Sequence, residues 1–169
     1  ENITDAVLRE DIEILARSSV LDSLEANASI LITGATGLIG SQTVWALACH
    51  SLEKGKNLQI LALVRNEEKA RTVFQGLVDT GLVTLCLGDI VEPLEIGQKV
   101  DYIIHGAGNA TPERIMRYPV ETMTANFQGV YHLLKKAGDS KVKRLLYISS
   151  SEVYGRKETA SGFCESEYG

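Results

Sequence analysis

The sequence predicts a doubly wound α/β domain, in which helices cover both faces of a parallel β-sheet. Short, continuously apolar runs alternate with segments of helical periodicity at least four times, as expected for buried parallel strands. A glycine-rich loop joins the first run to the helix that follows it. The length of 169 residues, of which 44% are hydrophobic, suits one domain with a sizeable core.

Five apolar runs have strand length and are the predicted strands: residues 29–33, 58–64, 82–87, 100–105 and 143–149. Helices are predicted ahead of the first strand and between the others: residues 3–17, 38–52, 67–75, a short segment from residue 111, and 119–137. A proline opens the last of these helices, and Gly138 is expected to follow its end. The chain therefore divides into a helical extension, residues 1–27, and an α/β domain, residues 28–169.

Composition and charge argue against several classes of protein. The net charge of −5 disfavours a nucleic-acid surface. No apolar run approaches the roughly 20 residues that a membrane-spanning helix needs, and no signal peptide is visible. The three cysteines and three histidines lack the spacing of a disulfide framework or a metal site. We therefore expect reduced thiols, a cytoplasmic protein and no bound metal.

The first candidate binding motif is the loop Thr33–Gly40, which reads TGATGLIG. Its glycines permit a sharp turn, let backbone N–H groups approach a diphosphate, and let the next helix pack closely on the sheet. The helix N-terminus adds positive partial charge there. The predicted coenzyme-contacting residues are Gly34, Thr36, Gly37, Leu38, Ile39 and Gly40. The alternative is a tight turn that binds no ligand.

A second part of the predicted site follows the second strand. In a dinucleotide-binding fold this position faces the adenosine ribose, where an acidic residue would accept from the 2′-hydroxyl of NAD. The sequence has Arg65 instead, with Lys69 one helical turn later. Because a guanidinium can pair with a 2′-phosphate, we expect NADP or NAD as the coenzyme, with Arg65 favouring NADP. Alternatively, Arg65 is an exposed strand-end charge paired with Glu67 or Glu68.

Small or polar residues also follow the third and fourth strands. A carboxylate after the third strand could accept a hydrogen bond from the adenine amino group, or could instead form an Asx turn. Small residues after the fourth strand would let the backbone lie against a coenzyme. The contacting residues predicted here are Asp89, Ile90, Gly106, Ala107 and Gly108, within the segments 88–90 and 105–110. His105 is expected to be a packed strand-end residue rather than a catalyst.

Three hydroxyl side chains and a carboxylate follow the fifth strand, in the segment Ser149–Gly155 (SSSEVYG). Ligands of open α/β sheets bind beyond the carboxyl ends of the strands. We therefore expect a hydroxyl of this segment to contact the substrate. A polar turn without a function is the alternative.

In chain order, these motifs resemble those of the extended short-chain dehydrogenase/reductases, the NAD-dependent epimerase/dehydratases that act on nucleotide sugars. Thr33–Gly40 is similar to the family's TGxxGxxG loop, residues 88–90 to its adenine-contacting GD motif, and residues 105–108 to its HxAA segment, with two glycines as departures. Asn126–Gly129 resembles its NxxG motif, and residues 150–155 resemble its [ST]xxVYG motif. The SEVYG form is most similar to the UDP-glucuronate decarboxylase and dTDP-glucose dehydratase branches.

The resemblance implies a Rossmann-type fold, an NAD(P) coenzyme and a UDP- or dTDP-sugar as substrate, for epimerisation, dehydration or decarboxylation. It implies that Ser150 is the catalytic hydroxyl and that Glu152 is a second acid or base, or merely an ion-pair partner. It also implies that Asn126 and Ser149 contact the coenzyme. Where the dehydratases have an aspartate this chain has Ser151, which argues mildly against dehydration.

One family feature is missing from its expected place. The family's base is the tyrosine of a Tyr-x-x-x-Lys motif after the fifth strand, where the lysine lowers the tyrosine pKa. The only such spacing here, Tyr131 to Lys135, precedes Ser150. We therefore expect the coenzyme-binding N-terminal half of a longer homodimeric enzyme, inactive alone and without one of the two helices that the family uses to dimerise. A non-catalytic NADP(H)-sensing module is the alternative, and a reductase of lipid or flavonoid-like ketones is a third possibility.

Overall fold

The computed structural model describes residues 5–108, 111–155 and 162–167. The helices in this part of the chain are α1 (Ala6–Ala16), α2 (Ser19–Asp22), α3 (Leu38–Lys54), α4 (Glu67–Val73), α5 (Pro112–Arg117) and α6 (Pro119–Ser140). The strands are β1 (Ser29–Thr33), β2 (Gln59–Val64), β3 (Val83–Leu87), β4 (Tyr102–His105) and β5 (Arg144–Tyr147). A 3₁₀ turn spans Ser151–Tyr154. None of the described helices is long and apolar enough to cross a lipid bilayer.

The strands form a single sheet in the order β3-β2-β1-β4-β5, and every neighbouring pair is parallel. Thr33 lies opposite Leu63 on one side and opposite His105 on the other, and His105 lies opposite Tyr147. The strand order reverses between β1 and β4, which is the switch point where open α/β sheets bind ligands. The predicted parallel α/β fold is confirmed.

Apolar side chains are buried on both faces of the sheet. Successive residues of a strand point to opposite faces. Ile30 and Ile32 of β1 therefore pack in a cluster with residues of α3 and α4. Leu31, between them, packs in a second cluster with Ile103 of β4 and Leu133 of α6. Because both faces are covered, the middle of β1 and all of β2 after Gln59 are unbroken apolar sequences.

The edge strand β5 is less buried than its sequence predicts. Its residues Leu146 and Tyr147 expose 60% and 47% of their surface. Within the described residues β5 has a neighbour on one side only, β4. The expectation of a strand covered on both faces therefore holds for the centre of the sheet and fails at this edge.

The C-terminal end of α6 also differs from the prediction. The helix does not end before Gly138 but continues to Ser140. The left-handed residue that closes it is Lys141, with φ of 53°. The N–H groups of Lys141 and Val142 donate to the carbonyls of Gly138 and Ala137, respectively, so the last turn is closed by backbone hydrogen bonds rather than by a glycine.

The N-terminal helix α1 packs on α3. Ile12 and Ala16 are buried between the two helices. The ring of His50 on α3, itself fully buried, donates from Nδ1 to the carbonyl of Ala16 at 2.8 Å. Just before β2, Lys56 donates to the carbonyl of Asp22 at 2.7 Å. These contacts attach the N-terminal extension to the α/β domain.

A buried carboxylate joins loops at the amino ends of the strands. Asp101 accepts from the Ser29 N–H at 3.1 Å and from the Lys99 ammonium at 2.7 Å. Lys143 lies 3.7 Å away and also pairs with Glu25. The hydrogen bonds from Lys99 and Ser29 lower the pKa of the Asp101 carboxyl, so this residue is charged at neutral pH and holds the edge of the sheet opposite the predicted site.

A stripe of apolar side chains on α6 faces solvent. Its members are each more than half exposed and recur at intervals of three or four residues: Val120, Met123, Phe127, Tyr131 and Leu134. This interval places them on one face of a helix of 22 residues. Contiguous exposed apolar rows are typical of interaction surfaces in globular proteins.

Substituting Gly129→Ala should destabilise the fold. A Cβ at this helical position would lie 2.7 Å from Cγ1 of Ile90, and that branched side chain has little room to yield. We expect a loss of about 1–3 kcal/mol in the free energy of unfolding, measured by urea denaturation. Gly138→Ala on the same helix meets nothing within 4 Å and should instead add about 0.5–1 kcal/mol. Equal effects of the two substitutions would contradict the packing described here.

Candidate functional site

The turn after β1 is packed against the segment after β4. Gly34 has φ of +67°, and a Cβ there would lie 2.5 Å from the carbonyl oxygen of Gly106. A Cβ at Gly40 would overlap the backbone of Gly34 itself. These two glycines are therefore required for the backbone to fold tightly upon itself, independently of any ligand.

The first turn of α3 is exposed at the carboxyl ends of the strands, directly after this glycine turn. Gly37 is the N-cap of α3 and brings no side chain to the unpaired N–H groups of the first turn. Leu38 and Ile39 are 78% and 58% exposed, and Thr36 is half-buried beside them. A long helix with an exposed start and no side chain capping its first amides, after a turn without bulky side chains, fits the diphosphate of a dinucleotide.

A buried Thr–His pair joins β1 to the segment after β4. Thr33 Oγ1 accepts from the Ala107 N–H at 3.2 Å and lies 2.6 Å from Nδ1 of His105. One short hydrogen bond thus joins the two buried side chains, and the tautomer of the ring sets its direction. Burial lowers the pKa of His105, so the ring is neutral at pH 7. As expected, this histidine is a packed residue: it is 1% exposed.

Arg65 and Asp89, which follow β2 and β3, form an ion pair with Nη1 and Oδ2 3.6 Å apart. The alternative pairing of Arg65 with an acid of α4 is wrong for Glu67, which instead pairs with Arg71 at 2.7 Å. Asp89 also accepts from the Val91 N–H at 3.3 Å, so the predicted Asx turn is present. The Asp89 carboxylate thus forms the turn after β3 and also pairs with the Arg65 guanidinium after β2.

The NxxG segment of α6 meets the loops after β3 and β4. The side-chain oxygen of Asn126 lies 3.5 Å from the position that a Cβ on Gly108 would take. One turn later, Gly129 admits the side chain of Ile90, which follows Asp89. The residues of these two contacts are 18 and 39 positions apart in the sequence and lie together in the fold.

The hydroxyl groups after β5 reach the same edge of the sheet. The Ile148 N–H donates to the His105 carbonyl at 2.9 Å, which extends the pairing of β5 with β4. Ser149 and Ser150 follow and are exposed. The Ser150 hydroxyl accepts from the Glu152 N–H at 3.2 Å and so caps the 3₁₀ turn, and the Glu152 side chain is exposed. The hydroxyls and carboxylate predicted for chemistry are thus open to solvent.

The structure adds a cavity of about 390 Å³ beside Asp89, which sequence reasoning missed. It lies under the crossover between β3 and β4, with Leu63, Cys86 and residues 92–98 among its walls. The crossover residues 92–98 show no helical periodicity, and no sequence pattern predicts a cavity there. Of the predicted segment 105–110, Asn109 and Ala110 lie outside the described residues.

The comparisons with known proteins agree with this arrangement. The model of the NAD dependent epimerase/dehydratase family matches residues 30–168. The chain belongs to this family. It is 32% identical over 135 residues to the UDP-glucose 4-epimerase of Yersinia enterocolitica, and this alignment covers 77% of this chain and 39% of that protein. It is 33% identical over 165 residues to UDP-glucuronic acid decarboxylase 1 of Xenopus tropicalis, and this alignment covers 90% of this chain and 36% of that protein.

A solved member of the family has the same fold. The crystal structure of the dTDP-glucose 4,6-dehydratase of Streptomyces venezuelae, with NAD bound, matches with a TM-score of 0.67 and 25% identity. The match covers 79% of this chain and 42% of that one. The chain therefore spans about two fifths of the length of these relatives.

The neutral state of His105 makes the stability of the fold depend on pH. Its pKa is lowered in the folded chain, so the unfolded chain takes up more protons once the pH falls below about 6.5. The free energy of unfolding should fall from there towards the lowered pKa. His105→Asn keeps an acceptor for Thr33 without a titrating ring and should lose less. Urea denaturation at pH 7.5 and pH 5 measures both losses, and parallel losses would contradict a buried neutral His105.

Proposed function

We propose that this chain is the coenzyme-binding part of an NAD(P)-dependent enzyme that acts on a nucleotide sugar. One observation carries the proposal: the open first turn of α3 and the hydroxyl of Ser150 lie at the same edge of the sheet, on either side of the switch point. The names of the relatives support the substrate class, since they include UDP-glucose 4-epimerase and UDP-glucuronic acid decarboxylase.

Each part of the edge has a task in this proposal. The turn after β1 and the first amides of α3 bind the diphosphate. Asp89 accepts from the adenine amino group, and Arg65 lies where the ribose 2′ position would be. The coenzyme supplies a nicotinamide ring that takes a hydride from the sugar and returns it. Ser150 hydrogen-bonds the reacting hydroxyl of the sugar, and Glu152 stands two residues away as a candidate second acid or base.

We assign no catalytic tyrosine within these 169 residues. Tyr131 and Lys135 have the family spacing, but they lie on α6, ahead of Ser150, and Tyr131 belongs to the exposed apolar stripe. We therefore propose that the base belongs to the part of the relatives' length that this chain does not span, and that the chain alone does not turn over. The choice among epimerisation, dehydration and decarboxylation depends on that part as well.

We also propose that the whole protein is a homodimer in the cytoplasm, with residues 1–27 an extension of the coenzyme-binding domain. The apolar stripe of α6 supports the dimer, because a 22-residue helix can bury it against a second copy. The widely spaced free cysteines Cys49, Cys86 and Cys164 support a reducing compartment. The buried contacts of α1 with α3 support the extension's place in the fold.

Ile39→Asp should weaken the binding of both NAD⁺ and NADP⁺. Ile39 is exposed in the first turn of α3, where a carboxylate favours the helix but repels a diphosphate. We expect an increase of about tenfold in both dissociation constants, measured by isothermal titration calorimetry. Ile39→Asn has the same size without the charge and should change them much less. The proposal fails if neither coenzyme binds the unsubstituted chain, or if the aspartate variant binds both unchanged.

Ser150→Ala should lower the turnover of the full-length enzyme by about a hundredfold, because the hydroxyl assists proton transfer from the sugar. The matched control is Ser151→Ala, which removes the neighbouring exposed hydroxyl at the start of the 3₁₀ turn. Turnover of UDP-glucose and UDP-glucuronate is the measurement. Full activity of the Ser150 variant would remove this residue from the mechanism.

A further inference from the structure

The pairing of Arg65 with Asp89 follows from the register of β2 and β3. Val64 lies opposite Leu87 at the end of the pairing. One residue further, the Gly88 N–H donates to the Val64 carbonyl at 3.1 Å, which carries the two chains forward together. The side chains of Arg65 and Asp89 leave these neighbouring ends and meet at 3.6 Å. Arg65 is therefore already paired with a carboxylate before any ligand binds.

The carboxylate of this pair is held in place more firmly than the guanidinium. Asp89 accepts from the Val91 N–H within its own turn. The adjacent residue Ile90 packs against Gly129 of α6, and its carbonyl accepts from Nδ1 of His132 at 3.1 Å. Arg65 is a long side chain with 66% of its surface exposed. Contacts with the loop and with α6 thus fix the Asp89 carboxylate, whereas the exposed Arg65 side chain is free to change its conformation.

The two residues that follow Arg65 have partners of their own. Asn66 caps α4 by accepting from the Lys69 N–H at 2.8 Å, and Glu67 is paired with Arg71. A 2′-phosphate placed at the end of β2 would carry close to two negative charges. It would attract Arg65, and it would also meet the fixed carboxylate that already holds that side chain. A 2′-hydroxyl, by contrast, is neutral and can donate to a carboxylate.

We propose that Asp89 is a specificity-determining residue: it retains Arg65 and repels a 2′-phosphate, and so favours NAD over NADP. This rests on the proposed function, because it requires the coenzyme to lie along the carboxyl edge of the sheet. It changes the expectation from the sequence, in which Arg65 acts alone and favours NADP. Coenzyme preference is then a property of the pair, with Arg65 attracting the phosphate and Asp89 opposing it.

The test is the ratio of the dissociation constants for NAD⁺ and NADP⁺, measured by isothermal titration calorimetry. Using the ratio cancels any contact of Asp89 with the adenine, which both coenzymes share. Asp89→Asn should shift the ratio towards NADP⁺ by about fivefold to tenfold, since it removes one like charge and frees Arg65. In an Arg65→Gln background the same substitution should shift the ratio less, because the repulsion alone remains. Glu92→Gln, an exposed acid on the same loop, is the matched control and should leave the ratio unchanged.

The outcomes separate this inference from the proposed function. If both coenzymes bind and Asp89→Asn leaves the ratio unchanged, the inference is overturned and the proposed function stands. A shift towards NAD⁺ would also overturn it, since Asp89 would then orient Arg65 for the phosphate. If neither coenzyme binds the unsubstituted chain, the proposed function is overturned together with this inference.

Discussion

The close approach of two backbone segments, the turn after β1 and the segment after β4, is the constraint on which the rest of the site depends. Gly34 leaves β1 in a left-handed conformation with no room for a Cβ against Gly106. The Thr33 hydroxyl oxygen also accepts a hydrogen bond from the Ala107 N–H. With β1 and β4 fixed at this distance, α3 begins immediately beyond the sheet and its first amides face the same edge as the residues that follow β5.

The burial of a neutral histidine belongs to the same constraint. Thr33 Oγ1 accepts from the Ala107 N–H and shares a short hydrogen bond with Nδ1 of His105. A charged ring would be a buried cation, which is the reason that burial lowers the pKa of His105. Proton uptake by His105 would therefore disturb the contact between β1 and the segment after β4, which we propose lies beside the coenzyme.

The centre of the fold was predictable from sequence because local signals agreed with tertiary packing. β1 has the bounds that its apolar run predicts, and α3 starts at Leu38, the predicted position, within the glycine loop. The prediction was wrong for the end of α6, where backbone hydrogen bonds to Lys141 replace a glycine cap, and for the burial of β5. Neither the pairing of Arg65 with Asp89 nor that of Thr33 with His105 can be read from periodicity, because both depend on register between strands distant in sequence.

We propose that the first turn of α3 binds the diphosphate of a nicotinamide coenzyme, with the segments after β2 to β4 around the adenosine. Backbone amide chemical shifts, followed by NMR as NAD⁺ is added, report this contact residue by residue. Saturable shifts should be concentrated in residues 34–40, with smaller ones at residues 65 and 88–90. Shifts confined to other parts of the domain, such as α1 or the amino ends of the strands, would contradict it.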